Sequence, residues 1–228
     1  MKKISVLLVC VMLLAVFVGC GSNEVRESSL AEEQNESLVS ENGTESSEIS
    51  EEIKIESYFA EVIQLKKQKI YCIDNAKQLY DFAMLVNSGK CDFDGDIVLL
   101  REDITLNEGD ADSFIKAPPE NVWEPIGTEA HPFRGSFVGG TADEDGYTEA
   151  SRSINGIYCP AKNKIAGLFG YIKGASLQYI TLGRGCVIIP EGEIGAAGGF
   201  AVEAYNSAIR FCVNNADVYG TEVAGIVN

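Results

Sequence analysis

The chain predicts an all-β fold: a short parallel solenoid closed at its N-terminal end by one capping α-helix and reached through a disordered tether. Three observations lead there. Ala166-Gly167-Leu168-Phe169-Gly170 returns as Ala197-Gly198-Gly199-Phe200-Ala201, 31 residues later, and as Ala224-Gly225-Ile226-Val227-Asn228 after 27 more. Between the copies, strand-like pieces also recur: Ser176 to Thr181 answers Ala208 to Val213, and Gly185-Cys186-Val187 answers Ala216-Asp217-Val218. Helical periodicity is confined to one early segment. A repeat of this length cannot bury its apolar face alone, but stacking one copy on the next builds a continuous core with parallel backbones. Small residues and asparagines suit the tight corners of such a stack. A compact β-sandwich is the rival arrangement; it requires antiparallel hairpins, and Asn-Gly hairpin signals are scarce.

In chain order, Lys2-Lys3 and the apolar run Ile4 to Val18, broken only by Ser5, form a secretory signal. Fifteen residues cover only about 22 Å of a ~30 Å hydrocarbon core, too short for a spanning helix. Phe17-Val18-Gly19-Cys20 resembles a bacterial lipobox. That resemblance implies cleavage after residue 19, lipid on Cys20 and a mature chain held on the extracytoplasmic face of the cell membrane. Two acyl chains suffice for such an anchor, at about 0.8 kcal/mol per buried methylene. Residues 20–57 read as the lipidated cysteine and its linker. From residue 22 onward eleven acids face only Arg26 and Lys54, which supplies −9 of the chain's net −16. Low hydrophobicity with charge of one sign cannot offset chain entropy, so a solvated spacer of roughly 30–36 Å r.m.s. span is expected.

Residues 58–228 form the expected domain, ample for one core. Leu79, Phe82, Ala83 and Val86 follow helical spacing over 75–88, with Asp74 or Asn75 as N-cap and Gly89 as terminator. Asp96 to Leu100 and Asp103 to Leu106 read as strands. Trp123 to Gly127 and Pro132 to Phe137 alternate bulky residues with turn formers, and Asp143 to Gly146 reads as a polar loop.

In their order, Val86-Asn87-Ser88-Gly89, Phe93-Asp94-Gly95, Asp103-Ile104-Thr105-Leu106, Trp123-Glu124-Pro125-Ile126-Gly127, Pro132-Phe133-Arg134-Gly135-Ser136-Phe137 and Ile154-Asn155-Gly156-Ile157 resemble the GLUG-motif modules of bacterial surface proteins. The resemblance covers roughly residues 70–228. It implies a right-handed parallel β-helix in an adhesin-like, usually non-enzymatic surface protein; similar modules accompany immunoglobulin A peptidases. Two departures stand out. Val138 replaces the Asp expected after the second Phe, with about ten extra residues, Thr141 to Ala150, following it. The third repeat copy also breaks off at Asn228, which reads as truncation at the C-terminus.

Several chemistries are disfavoured. An acidic chain suits no nucleic acid, and Lys66-Lys67-Gln68-Lys69 is too short a basic cluster to change that. Of seven cysteines, Cys10 leaves with the signal and Cys20 carries lipid. Cys72, Cys91, Cys159, Cys186 and Cys212 are an odd set that suits buried small hydrophobes better than a disulfide framework. His131, the single histidine, supplies neither zinc-ligand spacing nor a recognisable triad. Gly183-Arg184-Gly185 reads as a turn. Asp92-Phe93-Asp94-Gly95-Asp96 lacks the glycine an EF-hand needs, and Asp110/Asp112 and Asp143/Glu144/Asp145 read as solvated loops. No catalytic, cofactor or metal residue is therefore assigned.

The expected function is display of a non-catalytic module for adhesion or binding of a host or cell-surface glycan or protein. Exposed aromatics such as Tyr147, Tyr158 and Tyr171 are candidate contacts. The rivals are a β-helix polysaccharide lyase or hydrolase, whose paired carboxylates must lie ~5–9 Å apart, and a remnant of a larger adhesin or surface protease.

Overall fold

A helix that stops where the sequence says it must sets the first boundary. In the computed structural model, which describes residues 54–161, 165–190 and 195–227, helix α1 spans Ala76–Asn87. Asn75 Oδ1 accepts from Gln78 N at 3.1 Å, and Gln78 Oε1 accepts from Asp74 N at 2.8 Å. The expected signal sequence, Cys20 and all but the end of the expected linker lie outside the described residues. Packed structure begins upstream of Tyr58, with a 3-10 helix Ile55–Tyr58 whose Ile55 and Tyr58 rest on the core.

Strands are the dominant element. They run β1 (Glu61–Gln64), β2 (Lys69–Ile73), then after α1 β3 (Ile97–Leu100) and β4 (Ile104–Thr105). Following a short helix α2 (Ala111–Lys116) come β5 (Ser136–Asp143), β6 (Gly146–Glu149), β7 (Arg152–Asn155), β8 (Tyr158–Ala161), β9 (Ile165–Ala166) and β10 (Phe169–Lys173). The last are β11 (Ser176–Gln178), β12 (Ile180–Leu182), β13 (Val187–Pro190), β14 (Ala196–Gly198), β15 (Ala201–Tyr205), β16 (Ala208–Arg210), β17 (Val213–Asn214), β18 (Asp217–Val218) and β19 (Glu222–Ala224).

Parallel pairing organises them. The largest sheet orders β1-β2-β3-β5-β11-β16, with β6 beside β5; the others are β17-β12-β7-β4, β18-β13-β8, β19-β14-β9 and β10-β15. Among the described residues only β1–β2 and β5–β6 are antiparallel. Ala166 pairs with Ala197 and Ser176 with Ala208, as the repeat predicts. Elsewhere the register departs by one residue: Phe169 pairs with Ala201 rather than Phe200, and Val218 with Ile188 rather than Val187. Phe169 and Phe200 are both fully buried, so side-chain likeness tracks burial while the backbone carries an extra residue between Ala197 and Ala201.

At the centre of the large sheet, β2, β3 and the first half of β5 are buried on both faces, which runs of consecutive apolar residues permit. Tyr71, Val98, Phe137 and Leu177 face the main core, while Ile70, Cys72, Ile97, Leu99 and Val138 form a second cluster opposite. The β5–β6 hairpin folds over that second cluster. A Cβ on Gly140 would strike the Thr148 carbonyl and lie 3.2 Å from Leu99 Cδ1. Val138 and the hairpin that follows it are therefore coupled: the hairpin removes this sheet position from water, and an apolar side chain fills it. The polar stretch 143–146 is the hairpin tip, where Asp143 Oδ1 accepts from Asp145 N and Gly146 N at 3.0 and 3.1 Å.

On the main face α1 seals the core. Phe82 stacks on Phe137 at 5.7 Å and meets Phe93 and Phe133 edge-on at 5.3 and 5.5 Å. Arg101 ties β1, the helix entry and β3 together, donating to both Asp74 oxygens at 2.7 and 2.6 Å and to Glu61 at 2.6 Å. Asp110 and Asp112 do not lie in a loop. Asp110 caps α2 by accepting from Ser113 N at 2.8 Å while Ser113 Oγ accepts from Asp110 N at 3.0 Å, and six residues are too few to show a period.

Substituting Val138→Asp should lower unfolding free energy by at least ~3 kcal/mol in a denaturant titration, because the carboxylate is left beneath the hairpin without a partner. Asp81→Ala, which removes only the exposed 2.6 Å pair with Lys77, should change it by less than ~0.5 kcal/mol.

Candidate functional site

The end of α1 and the loop 128–134 line an open recess of about 410 Å3. The helix side supplies Val86, Gly89, Lys90, Cys91 and Asp92; the loop supplies Ala130, His131, Pro132 and Arg134. Helix α1 ends here because Gly89 adopts φ +70° and Lys90 N donates to Leu85 O at 3.0 Å. The same glycine seats the imidazole: a Cβ at this position would lie 2.6 Å from His131 ring atoms. The opposite wall is a closed turn, with Thr128 N donating to His131 O at 3.0 Å and His131 N to Thr128 Oγ1 at 3.1 Å.

Both walls are tied together. Asn87 Nδ2 donates to Pro125 O at 3.1 Å, and its Oδ1 accepts from Gly127 N at 2.7 Å. Further along, Arg134 N donates to Asp92 O at 3.0 Å. The Val-Asn-Ser-Gly and Trp-x-Pro-Ile-Gly motifs are thus two halves of one clamp, and the cavity beside them is built by backbone contacts.

Charge in the site is loosely paired. Arg134 Nε lies 3.6 Å from Asp92 Oδ2, and Nη2 lies 3.4 Å from Asp94 Oδ2, beyond the 2.7–2.9 Å of a strong charge-assisted bond. Asp96 is engaged elsewhere, accepting from Lys69 N at 2.7 Å, so of the three loop carboxylates two share Arg134 and the third is turned away from it. Among the described residues no group of three or more His, Cys, Asp or Glu is arranged to hold a metal ion. Cys91 and His131 line the same cavity, but burial pushes the Cys91 thiol up, the reverse of the shift that activates a nucleophile.

The tyrosines singled out from sequence do not converge. Tyr147 on β6 packs toward the Leu99–Val138 cluster, Tyr158 on β8 lies 6.3 Å from Phe114 of α2, and Tyr171 lies on β10. An aromatic pair that sequence reasoning missed is Tyr179 over Phe211, ring centroids 4.8 Å apart. Both residues adopt positive φ, +56° and +54°, a conformation rare for bulky residues, and Phe211 is 67% exposed. Their 32-residue spacing was visible in the repeat; the backbone conformation was not.

The five cysteines of the domain are free, with Cys72, Cys159 and Cys186 buried and Cys91 and Cys212 half-buried. Comparison of the chain with protein-family models, curated proteins and solved structures finds no match in any of the three.

Burial raises Cys72 and Cys186 to about 11 and Cys159 to about 12. Because these thiols ionise more readily in the unfolded chain, their stabilising contribution is complete below about pH 9 and is lost as pH rises toward 12. Thermal melts should show Tm falling over that window. A thiol reagent at pH 7.5 should label Cys91 and Cys212 first, with Cys72, Cys159 and Cys186 reacting only at the rate of unfolding.

Proposed function

We propose that this protein is a lipid-anchored bacterial surface protein that displays a non-catalytic, short right-handed parallel β-helix for adhesion or ligand binding. The observation that carries the fold part is the parallel ladder itself. Segments 30 to 32 residues apart pair in parallel, Val187 with Asp217 and Ser176 with Ala208, as successive coils of such a helix do. In this reading α1 caps the N-terminal end, and its sealing of the aromatic core supports that placement.

The anchor rests on the lipobox-like Phe17 to Cys20 and the acidic linker, which is long enough to hold the domain clear of headgroups. The binding role rests on the preformed cavity beside α1, a clamped recess with polar groups at its mouth and a thiol shifted away from reactivity. Ligands of this reading are cell-surface glycans or proteins.

Replacing Cys20→Ala should move the protein from the membrane fraction to the soluble fraction or medium; retention on membranes would sink the anchor. Binding of the full chain to whole cells and to arrayed glycans should be saturable, and a folded chain that binds neither surface argues against adhesion.

A further inference from the structure

We propose that the cavity between the end of α1 and loop 128–134 is a subsite for a neutral saccharide, held through adjacent hydroxyl groups by Asp92 and Arg134. This rests on the surface-binding reading and names its ligand class.

Asp92 and Arg134 face each other without a direct hydrogen bond. Asp92 Oδ1 accepts from Asp94 N at 3.1 Å, which orients the carboxylate and leaves Oδ2 facing Arg134 Nε at 3.6 Å. That separation is too long for a direct hydrogen bond, so both groups keep hydrogen-bonding capacity that a ligand hydroxyl can take up by a small opening of the pair. A hydroxyl group donates and accepts at once, so it can give its proton to Asp92 and accept from the guanidinium. A second hydroxyl on the adjoining carbon can use the remaining Arg134 donors, whose 3.4 Å contact with Asp94 is also weak.

Charge balance excludes ionic ligands as the favoured class. Lys90 and Arg134 stand against Asp92 and Asp94, and the carbonyl end of α1 adds partial negative charge. The four side-chain charges cancel, and the partial negative charge that remains disfavours anions and is too weak to select a cation. The remaining lining suits sugar C–H groups: Pro132, Ala130 and the imidazole of His131, which is seated on Gly89. At about 410 Å3 the volume is at the small end of ligand sites, fitting a saccharide terminus or branch rather than a stretch of polymer. Arg134 N and Asn87 hold both walls through bonds that do not use the recognising side-chain atoms, so the site is formed before ligand arrives.

The test is saturation-transfer NMR on the full chain in a non-glycosidic detergent. The probes are methyl glycosides of neutral hexoses, the corresponding uronates, amino sugars and deoxy analogues lacking one of the adjacent hydroxyls. Neutral glycosides should bind, and the deoxy analogues at least tenfold more weakly. Asp92→Asn and Arg134→Gln should each weaken binding at least tenfold with Tm close to the parent. Ala130→Trp, which fills the cavity and removes no polar group, should abolish binding and serves if either polar variant fails to fold. Uronates or amino sugars binding tenfold tighter than neutral sugars would overturn the proposal. Glycan binding undiminished by all three variants would also overturn it while leaving the surface-binding reading intact. A chain that binds cells but no saccharide overturns the proposal in favour of a protein ligand, and one that binds neither overturns both.

Discussion

Strands of two or three residues have no stability of their own, and backbone groups removed from water must find partners. Here nearly all of those partners lie far along the chain. β12 takes β7 on one side and β17 on the other, and β13 is held in the same way by β8 and β18. Everything else depends on that constraint. The spacing between copies must be kept so that each short strand meets its neighbours in register, and the apolar side chains become a core only once the ladders are closed. Closing loops of this length costs little more than closing shorter ones, because the entropy grows only with the logarithm of length.

The two faces of the large sheet are finished by different means. On the inner side α1 contributes Phe82 to a group of aromatic rings supplied by segments far apart in sequence. On the outer side the chain adds a hairpin at a place where strand β5 already ends its parallel pairing. Because that hairpin pairs only with its own strand, it changes what the sheet can present to water without disturbing the ladder. The sheet gains a second small core, and Val138 is its measure.

Much of this was legible in the residues. Helix α1 and its caps followed from period and from Asn75 and Gly89, since both signals are local. The repeat foretold which segments meet, because equal spacing is what parallel stacking needs. It did not foretell register at Phe169 and Ile188, since likeness of side chains reports burial and not which N–H meets which carbonyl. Helix α2 was missed because six residues carry no period, although Asp110 and Ser113 were a readable cap. The cavity was missed because its walls come from motifs about forty residues apart, each of which reads alone as a turn. Asn87 shows how they join: one side-chain amide, ordinary in sequence, bonds the loop that follows Trp123.

The free thiols carry a consequence for the life of the chain. For a chain exported as proposed above, the five unpaired cysteines among the described residues set a race between folding and oxidation. Once the ladder closes, Cys72, Cys159 and Cys186 are sealed from oxidants and from one another, and the folded domain carries no crosslink to slow its refolding. Before that moment every thiol can pair wrongly, and the distant contacts that close the ladder form late. The same burial that makes these cysteines inert in the finished molecule thus makes their oxidation state a record of how quickly it was made.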